Sequence, residues 1–78
     1  NDAMRRIEAV LYTRQGCCLC DEAKSVLEKH GLSVQEVDID RDEQLKAKYD
    51  ECVPVVFIDG RERFRGRVSE VLLKRLLR

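Results

Sequence analysis

Cys17, Cys18 and Cys20 fall within four positions, at the junction between an apolar run, Ile7 to Thr13, and a helical pattern, Leu19 to His30. On a helix, residues i and i+3 lie on nearly the same face, so Cys17 at the entrance and Cys20 in the first turn can come within disulfide distance. Cys18 sits about 100° around the helix from Cys17 and points elsewhere. The helix entrance also carries unpaired backbone N–H groups and the positive end of the helix dipole, which favour a thiolate at Cys17 over one deeper in the helix. Cys17 is therefore expected to be the nucleophile and leaving group, with Cys20 as its resolving partner. Arg14, three residues upstream, is expected to place a positive charge near that sulfur and to contact substrate.

Lowering a thiol pKa from about 8.5 to about 6 raises its thiolate fraction at neutral pH roughly 30-fold. For a Brønsted slope near 0.45, intrinsic nucleophilicity falls about 13-fold, so attack changes only about twofold. The larger effects are a better leaving group and a more oxidising disulfide. The pattern thus predicts a cycle in which Cys17 attacks a disulfide and Cys20 resolves the mixed disulfide. An external thiol, glutathione or a reductase, must then reset the pair. No metal or organic cofactor is required, and glutathione enters as a possible co-substrate. Other chemistries use the same residues: a zinc site built from Cys17, Cys18, Cys20 and Cys52, an iron–sulfur carrier, or an inert couple in a binding module.

The elements that must hold these thiols are readable from hydrophobic periodicity. Ile7 to Thr13 is β-prone and apolar, as expected of a central strand buried on both faces. Leu19, Ala23, Val26, Leu27 and His30 form one face of a helix that Gly31 stops. Leu32 to Ile39 supplies a second, more polar strand, and strand–helix–strand order implies a parallel pair. Asp40 and Glu43 are placed as a capping box for a short helix burying Leu45 and Tyr49. Val55 to Asp59 is a third strand, and Asp59-Gly60 is a hairpin turn into a fourth that runs through Phe64. Ser69 caps a final helix with an apolar face of Val68, Leu72, Leu73, Leu76 and Leu77. Arg61, Arg63, Arg65 and Arg67 alternate, which predicts one charged face of the last strand protecting a sheet edge. His30 ends the first helix, where a C-terminal dipole contact suits it better than catalysis.

The chain has 78 residues with 15 basic and 15 acidic side chains, enough for one small domain with no net field to attract nucleic acid. No stretch approaches the ~20 apolar residues of a membrane span. Three of the four cysteines are too close together to staple distant segments, which argues against a secreted disulfide scaffold. The expectation is a soluble, cytoplasmic monomer acting on neither nucleic acid nor membrane. Its single domain is read as residues 4–78, with Asn1 to Ala3 as an expression remnant ahead of Met4.

Tyr12-Thr13-Arg14-Gln15-Gly16-Cys17-Cys18-Leu19-Cys20, with Cys52-Val53-Pro54 and Asp59-Gly60, resembles the glutaredoxins and their small bacterial glutaredoxin-like relatives. The resemblance implies a thioredoxin-like α/β fold, βαβαββα, with three helices and a four-stranded mixed sheet of order 2-1-3-4. It implies a thiol-disulfide oxidoreductase reducing protein disulfides or glutathione mixed disulfides. It further implies a cis Val53-Pro54 peptide facing the active-site disulfide and pairing with substrate backbone, and Ser69 near a bound carboxylate. The chain departs from the usual Cys-Pro-Tyr-Cys at Cys18 and Leu19, and the family's glutathione-holding Gly-Gly and paired-Asp segment is reduced to Gly66-Arg67-Val68-Ser69-Glu70. Cys18 and Cys52 are auxiliary thiols with no role fixed by the resemblance.

Overall fold

The computed structural model describes residues 7–78; the reading of Asn1 to Ala3 as a remnant lies outside the described residues. Within them the order is β1 (Glu8–Thr13), α1 (Cys18–Lys29), β2 (Ser33–Asp38), α2 (Glu43–Tyr49), β3 (Val55–Ile58), β4 (Arg61–Arg65) and α3 (Glu70–Leu76). The four strands form a mixed sheet of order β2-β1-β3-β4. β1 is central and pairs parallel with β2, from Glu8 opposite Ser33 to Thr13 opposite Asp38. It pairs antiparallel with β3, which pairs antiparallel with β4. This is the expected βαβαββα thioredoxin-like architecture.

Alternation along β1 divides the interior between two sides of the sheet. Ala9 and Leu11 pack with Ala23 and Leu27 of α1, Leu73 of α3 and Phe64 of β4. The other side holds Cys20, Ile39, Tyr49, Val53 and Val55, with Tyr12 and Cys17 packed at its margin. Burying a side chain such as Leu27 or Leu73 stabilises the fold by about 1.5–3 kcal/mol. The second side is thinner than expected for a strand buried on both faces, because α2 has only seven residues and leaves Tyr12 half-buried.

Two local expectations need correction. The capping box was expected at Asp40, but a single 3-10 turn, Ile39–Arg41, intervenes before α2. Asp38 caps that turn, and Asp42 caps α2 by accepting from Gln44 N–H at 2.9 Å and Leu45 N–H at 3.2 Å. Burial of Ile39 explains the turn: it closes the second cluster, and a helix begun at Asp40 would displace it. The alternating arginines also do not share one face. A register shift between Val56 and Phe57 sets Phe64 opposite Val56 and Glu62 opposite Phe57, leaving Arg63 as the extra residue of a bulge. Arg61, opposite Ile58, and Arg65, opposite Val55, consequently lie on opposite faces.

The hairpin turn behaves as its residues predict. Asp59 and Gly60 have φ of 53° and 77°, the paired positive values of the turn favoured by twisted hairpins.

Candidate active site

The first helix is built so that its entrance is a sulfur. Gly16, with φ of 79°, turns the chain out of β1, a conformation costly for any side chain with a Cβ. Cys17 follows in extended geometry as the N-cap of α1, and its Sγ accepts the backbone N–H of Cys20 at 3.1 Å. Cys17 and Cys20 are disulfide-bonded, with Cα atoms 5.2 Å apart. Cys17 is partly exposed, whereas Cys20 is only 2% exposed. An incoming group can therefore reach the first sulfur while the second waits behind it. Once the bond opens, the Cys20 N–H and the dipole of a 12-residue helix both favour the anionic form of Cys17.

The loop ahead of β3 forms the opposing wall. The Val53-Pro54 peptide is cis, as the family resemblance implied. Val53 packs in the cluster that contains Cys20, bringing the loop against the disulfide-bearing side of α1. The Pro54 carbonyl accepts the Gly66 N–H at 2.8 Å, fixing the loop to the exit of β4.

Arg14 is placed one residue beyond β1, and its guanidinium is engaged by Asp40 and Asp50. Nη2 and Nε donate to the Asp40 carboxylate at 2.6 and 3.1 Å, and Nη1 donates to the Asp50 carbonyl at 3.2 Å. The hydrogen bond from Arg14 holds the Asp40 carboxyl below its usual range, and Asp40 in turn raises Arg14. Asp50 adopts φ of 34° and ψ of −105°, an unusual conformation for a residue with a side chain. The sequence motif contains no sign of this cluster. It follows from the parallel register, since Thr13 opposite Asp38 brings the residues just past both strand ends together.

Ser69 lies at the start of α3, where its hydroxyl accepts the Leu72 N–H at 3.3 Å as the expected cap. Cys18 and Cys52 are both exposed and free. Arg65 donates to both oxygens of the Glu62 carboxylate, at 2.9 and 3.0 Å, and this pairing raises its pKa above the ordinary guanidinium value. Arg65 also lies 5.7 Å from the Tyr49 ring centroid, a contact that spacing alone did not reveal. Among the described residues, no three His, Cys, Asp or Glu side chains converge as metal ligands. No described helix is long and apolar enough to cross a membrane.

An exposed sulfur capping a helix, joined to a buried one a turn later, is an arrangement for thiol–disulfide redox chemistry. Comparison with known proteins agrees. The profile described as Glutaredoxin-like domain (DUF836) matches residues 8–78. Glutaredoxin 3 of Escherichia coli strain K12 is 38% identical over 55 residues, 64% of this chain and 66% of that protein, a little under two-thirds of the relative's own length. A structural genomics target protein from X. campestris superposes with a TM-score of 0.77 at 32% identity, covering 88% of this chain and 93% of that one. The glutaredoxin-like protein NrdH-redoxin from Escherichia coli, whose structure is described as explaining a thioredoxin-like activity profile, gives 0.66 at 26% identity over the same shares of the two chains. With its redox pair, its sheet order and a profile match over nearly the whole described chain, this protein belongs to the glutaredoxin-like family.

Proposed function

We propose that this protein is a thiol-disulfide oxidoreductase that reduces disulfides in proteins or mixed disulfides with glutathione. The observation that carries the reading is the asymmetry of the pair: Cys17 is accessible and caps a helix, while Cys20 is buried within reach of it. The Cys17 thiolate attacks a substrate sulfur and releases one substrate thiol. Cys20, on losing its proton, attacks Cys17, which closes the Cys17–Cys20 bond and releases the second thiol. Two electrons and two protons pass to the substrate in each cycle.

On this reading no metal or organic cofactor takes part. Glutathione is a co-substrate and resets the pair, or a reductase does so, in a reducing compartment such as the cytoplasm. The domain acts as a monomer. Val53 and Pro54 offer the surface against which the substrate chain lies, with Arg14 and Ser69 as further substrate-binding residues.

The deciding experiment is turnover of a glutathione mixed disulfide by wild type, Cys17→Ser and Cys20→Ser. Cys17→Ser is expected to abolish turnover, while Cys20→Ser traps a mixed disulfide or retains one-thiol activity. Full activity in Cys17→Ser would overturn the assignment.

A further inference from the structure

The neutral total charge hides a segregation. Residues 61–78 contain seven of the 15 Lys and Arg residues but only two of the 15 Asp and Glu residues, so the β4–α3 segment is basic and the remainder acidic. Both acids in the segment are already paired, Glu62 with Arg65 and Glu70 with Lys29 and His30. Arg63 and Arg75 form no ion pair among the described residues and stand exposed.

The same segment presents apolar surface. Leu72 is 50% and Leu76 39% exposed on α3, and together with Phe64, Arg63 and Arg75 they line a groove of about 230 Å³ between α3 and β4. One turn before Leu72, Val68 and Arg67 line a second groove against Leu19, the residue that precedes Cys20. That second groove also has Glu22, Ala23 and Val26 in its wall and shares no residue with the first, so the purely basic rim belongs to the groove between α3 and β4. The concavity suits an inserted side chain, whereas a bilayer surface would be met by a flat or convex face.

From this charge complementarity we propose that the β4–α3 face docks a protein partner whose contact segment is acidic with an apolar anchor. The anchor enters the groove formed by Phe64, Leu72 and Leu76 while its carboxylates pair with Arg63 and Arg75. The proposal rests on the redox reading and narrows the substrate class to acidic protein disulfides. Docking presents the partner's disulfide to the reduced pair, where Cys17–SH and Cys20–SH become the Cys17–Cys20 disulfide and the partner disulfide becomes two thiols.

The test uses three synthetic disulfide-loop peptides with the same leucine-bearing arm, flanked by aspartates, lysines or serines. Wild type, Arg63→Glu/Arg75→Glu and Leu72→Ser/Leu76→Ser are assayed on each, with hydroxyethyl disulfide as the small substrate. The expected result is a kcat/KM for the acidic peptide about tenfold above that for the basic one, falling with salt. The charge-reversal variant should invert that preference, and the leucine variant should weaken all three peptides, with hydroxyethyl disulfide turnover unchanged in both. Equal kcat/KM for acidic and basic peptides, with hydroxyethyl disulfide still reduced, would overturn the docking proposal alone. Failure of wild type on every substrate would overturn the redox reading beneath it. Salt-sensitive binding to phosphatidylserine vesicles or duplex DNA, lost in the charge-reversal variant and accompanied by no peptide preference, would assign the face to those anions and overturn the proposal.

Discussion

Arg14 reaches from the end of β1 to Asp50, donating Nη1–H to its carbonyl at 3.2 Å while Nε and Nη2 grip Asp40. The contact joins the segment leading into Cys17 to the one leading into Val53-Pro54. Three donors in a fixed fork make the bridge, which a point charge cannot reproduce. Arg14→Gln is expected to raise KM for a disulfide substrate several-fold with little change in kcat. Arg14→Lys should raise KM to the same degree. Amide exchange across Glu51 to Val53 should accelerate in both variants. Recovery of wild-type KM in the lysine variant would show that charge alone matters at this position.

Helix capping by Cys17 has a direct spectroscopic consequence. The reduced protein should show a Cys17 thiolate whose ultraviolet absorbance titrates below the ordinary thiol value of about 8.5. Alkylation mapped by mass spectrometry at mildly acidic pH should label Cys17 well before Cys20, which is 2% exposed. Labelling of Cys20 first would reverse the assignment of attacker and resolver.

His30 and Glu70 tie the end of α1 to the start of α3, with Nε2 and Oε2 2.7 Å apart and Lys29 Nζ 3.1 Å from the same oxygen. The hydrogen bond to His30, followed by the contact with Lys29, holds the Glu70 carboxyl below its usual range. A carboxyl depressed in the folded state stabilises the protein above its unfolded pKa, and that contribution is lost as pH falls through the folded value. Glu70→Gln should therefore lower the urea midpoint at neutral pH, and the difference from wild type should vanish in acid below both pKa values. A difference that persists undiminished there would mean that packing, not charge, accounts for it.

Adjacent leucines on α3 offer a stability contrast. Leu73 is fully buried in the main cluster and Leu72 is 50% exposed. Leu73→Ala is expected to cost about 2–5 kcal/mol, a large share of what so small a domain possesses. Leu72→Ala should stay within about 0.5 kcal/mol. Urea unfolding of the two variants checks this, and equal losses would mean that α3 lies differently on the sheet.

Elements governed by near neighbours were legible in the sequence. The α1 periodicity, the stop at Gly31, the Asp59-Gly60 turn and the Ser69 cap each depend on residues within a few positions, so local spacing predicted them and the structure contains them. The same is true of the redox pair, whose proximity is a property of one helical turn. The cap of α2 was misplaced from Asp42 to Asp40 because three acids in alternate positions are equivalent locally, and burial of Ile39 chooses among them. The bulge at Arg63 was hidden for a similar reason: strand alternation is local, but register is imposed by the partner strand.

By itself the sequence determined the family, the order of elements and which two thiols pair, since each follows from residue type and short-range spacing. Only the tertiary structure decided what surrounds them: Arg14 on Asp40 and Asp50, Arg65 over the Tyr49 ring, and Leu72 and Leu76 exposed between two arginines. Those contacts join residues that are distant in the chain. Their partners are selected when the sheet register and the placement of helices on its faces bring them together, and no local pattern carries that information.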